Sequence, residues 1–394
     1  MTEQTPTAPD VVEDVFDGRA TGVEVENTDD AAIERPWNPE QIRVTTNQFS
    51  LRNILDQIDE GSLELAPDFQ RGRVWRAEQK SLLVESLLLQ IPLPAFYFAE
   101  DSDGAYHVVD GLQRLSTLHA FVRGVEGGEG GEGVEGFPLK GLEYLKDTEG
   151  LRFSDLAVQW QRRINNTQLV VNVIDPTTPQ DVMYDIFKRI NTGGTPLNAQ
   201  EIRHCMSKQR SRDILWEMTH TVEFARATNG LTDHIRMNDR EMALRFTAFR
   251  LLGLEEYLGH PGMEAFLLRA TRLLDNPEDL PTPLVDQLKE SFRTAMANAY
   301  LLFGDHAFRK WPEKMPYEME VRGPINRALF ESWSFALADF SMDDLEQRRD
   351  AIVERARRRM SRDINYLDSL TSSTADRRRV QYRFMAAMED VSSA

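Results

Sequence analysis

Four stretches of the chain hold side chains whose types and spacing can do chemistry. The richest is Val108-Val109-Asp110-Gly111-Leu112-Gln113-Arg114-Leu115-Ser116-Thr117-Leu118, in which a β-branched run meets Asp-Gly and then turns helical. Leu112, Leu115, Leu118 and Val122 recur at helical spacing, leaving Gln113, Arg114 and Thr117 on other faces. A helix N-terminus presents backbone N–H groups without intrahelical partners and a partial positive charge, and the forked guanidinium of Arg114 suits phosphate. The expected ligand is therefore an anion, phosphate above all. Asp110 either holds a metal through water or caps the helix, and spacing alone leaves both open.

The second stretch, Asp68-Phe69-Gln70-Arg71-Gly72-Arg73-Val74-Trp75, sets two arginines beside an amide and an aromatic ring just before a helix. It would add phosphate contacts or a surface on which a base stacks, or else be a surface loop pinned by Trp75. The third, Phe187-Lys188-Arg189-Ile190-Asn191-Thr192-Gly193-Gly194-Thr195-Pro196-Leu197, is a helix end followed by a Gly-Gly turn whose backbone can approach a ligand closely. A C-cap followed by a new helix at Asn198 explains it equally well. In the fourth, Arg355, Arg357, Arg358, Arg359, Arg362, Arg377, Arg378 and Arg379 make the C-terminal helices basic. They contact a DNA or RNA backbone, or they form a solvated face laced with ion pairs such as Glu354 with Arg358.

The elements that position these stretches follow from periodicity and turn chemistry. Helices are expected at 50–58, 77–90, 112–122, 154–164 and 179–190, and strands at 63–65, 95–99, 105–109 and 168–174. Asp101-Ser102-Asp103-Gly104 suits a hairpin between the second and third strands. Gly124–Gly136 is a Gly/Glu run with nothing to pack, hence a flexible loop. From Asn198 onward the pattern is helical, with segments at 198–207, 211–219, 238–258, 262–274, 284–303, 324–338, 342–360 and 376–390. The fold class is α+β: a unit of short strands and helices, then an all-α domain.

Composition excludes several classes. A chain of 394 residues with 41% hydrophobic and 28% charged residues can bury a sizeable core and divides into two domains. One cysteine, Cys205, supplies neither a disulfide framework nor a multi-thiolate zinc site. No run is long and apolar enough to cross a membrane and no signal peptide opens the chain, so the expected location is cytoplasmic. The net charge of −18 argues against a whole-molecule field that attracts nucleic acid, though a local basic patch can still do so. Residues 1–35 carry ten acids and two bases, and residues 1–38 read as a disordered acidic tail. Residues 39–197 then form the α+β domain and 198–394 the helical one.

Four motifs in order, PDFQRGRVW, ESLLLQIPLP, VVDGLQRLSTL and FKRINTGGTPLNAQEIR, resemble the GmrSD-type restriction endonuclease N-terminal domain family, itself similar to the ParB and sulfiredoxin fold. The resemblance spans residues 45–205, and RMNDREMALRFTAFRLL and RGPINRALFESWSFALA extend it into the helical part of single-domain members. It implies a nucleotide-binding or nuclease-like pocket around an Asp-Gly-Gln-Gln-Arg motif. Asp110, Gly111, Gln113 and Arg114 fit that motif, while Leu112 replaces its first glutamine and removes one polar contact. Gln70, Arg71, Arg189 and Asn191 fall on the family's other polar motifs and would line the same pocket.

The function so implied is a nucleoside-triphosphate-binding switch, hydrolysing or not, of a bacterial restriction or anti-phage system, acting with Mg²⁺ and a separately encoded effector. Arg114, Thr117 and the N–H groups after Gly111 would hold phosphate, Gln113 would orient phosphate or water, Arg71 would neutralise charge, and Asp110 would stand on the metal side. Asp110, Gln113 and Arg114 would be the catalytic set. One alternative is a metal-dependent DNA endonuclease using the same pocket; another is a catalytically silent interaction protein. His204, His220, His234, His260 and His306 are scattered without a hairpin context, so the HNH nuclease of two-domain members is not expected and these histidines read as surface or helix residues.

Overall fold

The stretch read as a free acidic tail contains a hairpin. In the computed structural model, which describes residues 11–16, 18–26, 42–65, 75–101, 104–124, 136–190, 197–259, 262–317 and 322–393, β1 (Glu13–Phe16) pairs antiparallel with β2 (Arg19–Glu24). Gly18 and Gly22 take positive φ there, and Val23 forms a parallel bridge with Ile325. The chain divides into two compact units, one of residues 37–206 and the other of residues 207–394 together with 1–36. The hairpin thus belongs to the helical unit. The Gly/Glu loop lies outside the described residues over 125–135.

The sheet unit is built on five strands in the order β3-β7-β5-β6-β4: β3 (Val44–Ser50), β4 (Leu63–Glu64), β5 (Phe96–Glu100), β6 (Tyr106–Asp110) and β7 (Gln168–Ile174). The pairs β3–β7 and β5–β6 are antiparallel, and β5–β7 and β4–β6 parallel. Six helices accompany them: α1 (Leu51–Asp59), α2 (Ala77–Leu88), α3 (Leu112–Val122), α4 (Val158–Asn166), α5 (Gln180–Ile190) and α6 (Ala199–Met206). The expected strands are present and β3 is additional; of the expected helices, the one over 154–164 begins only at Val158, after a 3-10 turn at Phe153–Asp155. The α+β class is observed as expected.

Local chemistry explains the ends of these helices. Ser50 accepts from the Asn53 N–H at the start of α1, and Asn198 and Glu201 cap α6 reciprocally, the Glu201 N–H donating to Asn198 Oδ1 at 2.7 Å and the Asn198 N–H to Glu201 Oε2 at 2.6 Å. Leu55, Leu87, Phe98, Leu115, Phe121 and Val171 sit at the centre of the core. Both α5 and α6 pack against β6, so the sheet unit runs to residue 206 and not to 197.

The helical unit comprises α7 (Gln209–Thr219), α8 (Val222–Thr228), α9 (Asn238–Leu252), α10 (Leu254–Gly259), α11 (Met263–Asp275), α12 (Thr282–Phe303), α13 (Arg327–Leu337), α14 (Met342–Arg362), α15 (Ile364–Thr371) and α16 (Arg377–Ser392). The single helix expected over 238–258 breaks at Gly253, whose φ of +84° ends α9. Phe224, Phe246, Phe292 and Phe330 pack ring on ring in its core, and Phe249 packs against Tyr257, Phe266 and Phe384. Among the described residues no helix is long and apolar enough to cross a membrane.

Within the sheet unit one buried carboxylate organises a loop. Glu85 of α2 accepts the N–H groups of Glu143, Tyr144 and Leu145 at 2.9, 2.7 and 2.8 Å. Burial pushes this carboxyl up, but the three N–H donors outweigh it and hold it below the usual carboxylate range. Glu85→Gln should therefore cost roughly 2 kcal/mol in urea melts near neutral pH. Because the folded value is depressed, that stabilisation is complete above the ordinary value of 4.5 and disappears as the pH falls through the lower folded one. A variant whose acid-side stability curve coincides with that of the wild type would show that the three donors do not hold this loop.

Candidate functional site

The junction at residue 110 is made by a strand, a turn and a helix in immediate succession. Val108 and Val109 are buried and anchor β6, whose last residue, Asp110, pairs with Tyr97 of β5. Gly111 then turns left-handed, with φ +97° and ψ 8°, and serves as the N-cap of α3. A Cβ built on Gly111 would meet Phe96 Cδ1 at 2.3 Å and Cε1 at 2.8 Å, so both conformation and space require glycine. No side chain of the cap residue bonds the first turn of α3, and Gly111 O accepts the Leu115 N–H at 2.9 Å.

One helical turn on, Arg114 reaches back across this turn. Its Nη1 donates to Pro94 O at 2.5 Å, and its Nη2 donates to Asp110 Oδ2 at 2.8 Å and to Ala95 O at 3.2 Å. The guanidinium also lies 4.3 Å from the centroid of the Phe96 ring. Burial draws its pKa below the ordinary arginine value and Asp110 draws it back up, and it remains a cation. The arginine expected to fork onto phosphate thus locks the start of β5 to the start of α3 and fixes one oxygen of Asp110. The other oxygen, Oδ1, accepts no hydrogen bond among the described residues, and the carboxylate is about one-third exposed.

The remaining expected residues fall differently. Gln113 is half-buried in the first turn of α3, whereas Thr117, 4% exposed, is buried beside Leu118 in the second. Arg189 is exposed on the last turn of α5, a helix that packs against β6. Gln70, Arg71 and Asn191 lie outside the described residues. Trp75, at the end of the Gln70 motif, packs partly buried against the sheet-unit core.

Two groupings near β6 were not singled out by sequence reasoning. His107, on β6, lies between Glu64 Oε2 at 3.1 Å and Asp101 Oδ2 at 3.3 Å, so the strand leading to Asp110 is tied to β4 and to the β5–β6 turn. On α6, Gln200, Glu201, Arg203 and His204 are all buried, and Arg203 Nε donates to Gln200 Oε1 at 3.0 Å. A partial signal was present: Gln200, Glu201, Arg203 and His204 crowd an eight-residue helix with polar side chains on several faces, so not all of them can face water. His204 is thus a helix residue, as one of the two readings had it, and is buried. Half-buried His234 likewise has a defined task, with Nε2 2.9 Å from Thr21 O.

The arginines of α14 and α16 are largely consumed internally. Arg358 pairs with Glu354 and Glu313, Arg359 with Asp390 and Glu389, Arg362 with Glu313, and Arg355 and Arg379 donate to Ser393 O and Ser372 O. Arg377 and Arg378 are exposed. Among the described residues no three His, Cys, Asp or Glu side chains form a group able to hold a metal ion.

The fold and site define an α+β domain whose chemistry centres on a strand-to-helix turn, joined to a helical unit. Residues 51–207 match the family described as the GmrSD restriction endonuclease, N-terminal domain. Over those residues the chain is similar to that domain family, whose description is that of a restriction-system component. No curated protein matches the chain.

The geometry of the turn yields a direct comparison. Gly111 and Gly104 both have positive φ, +97° and +81°, but a Cβ on Gly104 meets nothing within 4 Å. Gly104→Ala should cost about 1 kcal/mol and Gly111→Ala roughly 3 kcal/mol or more, because the second adds a clash with Phe96 to the same backbone strain. Equal losses in thermal melts of the two variants would refute the crowding at Gly111.

Proposed function

We propose that the turn at Asp110–Gly111 binds the polyphosphate of a nucleoside triphosphate and that the chain acts as a nucleotide-dependent switch in a restriction or defence system. The observation that carries this reading is the first turn of α3: an eleven-residue helix begins at a glycine that supplies no capping side chain, beside an arginine cation held in place. Backbone N–H groups in that setting, with the helix dipole behind them, favour an anion with several oxygens.

The residues divide the work. Gln113, in the first turn, orients a phosphate oxygen or a water. Arg114 supplies fixed positive charge and holds Asp110, and its own fork is already engaged by Pro94 O, Ala95 O and Asp110. Thr117 supports the helix from within. Gln70, Arg71, Arg189 and Asn191 belong to the proposal through the family motifs. One carboxylate oxygen, Asp110 Oδ1, is available to Mg²⁺, and a single carboxylate suffices for that ion when phosphates and waters complete its shell. Bound there, the ion would neutralise phosphate charge. The family points to DNA or a separate effector as the further partner, with Arg377 and Arg378 the exposed cations of α16 available to a nucleic-acid backbone.

Equilibrium binding of the four nucleoside triphosphates, with and without Mg²⁺ and DNA, tests the reading. Asp110→Ala should weaken Mg²⁺-dependent binding by about tenfold or more, the loss expected for one charge-assisted contact. Arg114→Lys, which keeps the charge but not the fork, should weaken it as well and lower stability. A protein that binds none of the four, with Arg114→Ala leaving restriction in cells unchanged, rules the reading out. Metal-dependent nicking of plasmid that Asp110→Ala abolishes would replace it with an endonuclease.

A further inference from the structure

The helical unit holds a heavily charged interior that the proposed function does not use. Arg245 of α9 donates to Glu241 at 2.8 Å, to Glu331 at 3.0 Å and to Glu26 at 2.5 Å, while Arg383, itself fully buried, pairs with Glu331. Arg327 stands 3.5 Å from Glu241 and donates through Nη1 to Glu24 O at 2.8 Å. Lys310 Nζ and Asn326 Nδ2 donate to Glu24 Oε2 at 2.7 and 2.9 Å, and Thr374 Oγ1 donates to Glu26 Oε1 at 2.8 Å. Of these groups the helices and their connections supply four cations, Lys310, Arg245, Arg327 and Arg383, but only two carboxylates, Glu241 and Glu331. Glu24 and Glu26 of the N-terminal segment supply the other two.

The segment's attachment is unlike the packing around it. Val23 is its one member of the apolar core, while Val11, Val12, Val15 and Val25 are between 44% and 60% exposed. The Phe16 ring adds a contact with the Arg236 guanidinium, 4.6 Å from its centroid, and the other attachments are polar: the Glu24 N–H to Ile325 O at 2.9 Å, the Ile325 N–H to Gly22 O at 2.8 Å, His234 to Thr21 O, and the carboxylate contacts above. The fit is also incomplete. Glu24 Oε1 and Asn238 Nδ2 are buried at this seam without a hydrogen-bond partner among the described residues. Unpaired buried polar atoms cost free energy, so the seated state gives back part of what its ion pairs contribute.

We propose that the helical unit carries a cationic socket for an acidic extended segment, and that residues 19–26 occupy it as a displaceable strap. A strand with carboxylates two residues apart presents both to one side, and here Glu24 and Glu26 face the helices while Val25 between them faces water. The partner that fits is thus a peptide strand with a Glu-x-Glu spacing, competing with the chain's own. Lifting the strap removes one valine from the core and bares cations, whereas lifting α8, α9, α12 or α13 would open the aromatic cluster.

Hydrogen exchange on the full wild-type chain is the first test. The amides of Glu24 and Val25 should exchange at least 100-fold faster, relative to their intrinsic rates, than those of Ala243–Phe249 in α9, because the strap opens without global unfolding. Equal protection in both places would make the strap an integral strand and overturn the proposal. The second test uses a fluorescent peptide of residues 11–26 and the Glu24→Gln/Glu26→Gln variant of the full chain. The variant should bind the peptide at least tenfold more tightly than the wild type does, and a peptide with the same two glutamines should not bind. A variant that melts cooperatively yet takes up no peptide would sink the socket; should the variant fail to fold, the exchange measurement on the wild type decides.

Discussion

At Gly111 the backbone turns left-handed against the face of Phe96 so closely that no side chain fits, and this crowding is what gathers the site. It lets β6 end and α3 begin within one residue, which places Asp110 and the first helical turn side by side. It also brings Arg114 over the Phe96 ring and within reach of Pro94 O, Ala95 O and Asp110. A larger residue at 111 would have to push the ring or the helix aside. Either movement would break the arginine's contacts, so the turn, the ring and the guanidinium form one arrangement that is kept or lost together.

The helical unit solves a different problem by a similar route. Its polar interior is expensive, because each buried charge must recover its desolvation cost from partners. Arg245 does so with three carboxylates, and their attraction outweighs burial to raise its pKa well above the ordinary value. Arg309, by contrast, meets only the carbonyls of Thr228, Ala307 and Gly323; burial and the nearby Arg322 lower its pKa to about 10. The first cation depends on the N-terminal segment and the second does not.

Much of this was legible from the residues and some was not, for physical reasons. The elements around the site carried strong signals: leucines at helical spacing in α3, β-branched residues in β6, Asp-Gly at the turn. β3 went unread because Val44–Ser50 is an edge strand exposed along most of its length, so its Thr, Asn and Gln side chains show no alternation. The strap went unread because its carboxylates look like solvated tail charges until the arginines that neutralise them, more than 200 positions away in Arg245 and Arg327, are brought beside them. Site chemistry was partly readable: Asp110, Gly111 and Arg114 do meet. What spacing could not convey was direction, since a guanidinium one turn into a helix reaches outward to a ligand or backward to the strand with equal ease.

That direction changes what the departure at Leu112 means. The family motif has a polar side chain at this place, and its loss would matter most if Arg114 were the phosphate fork and position 112 its companion. In this chain Leu112 packs partly buried against the sheet-unit core, and Arg114 is turned inward onto Asp110 and two carbonyls. The polar surface at the head of α3 is therefore not a pair of long side chains reaching out. It is the backbone of the first turn, flanked by one half-buried amide and one carboxylate oxygen. A site made chiefly of main-chain N–H groups tolerates the loss of a side-chain contact better than one made of side chains, because its donors are fixed by the helix itself. Leucine at 112 is then compatible with the proposed phosphate site, and on that proposal Gln113 is the polar side chain of the first turn that would touch the ligand.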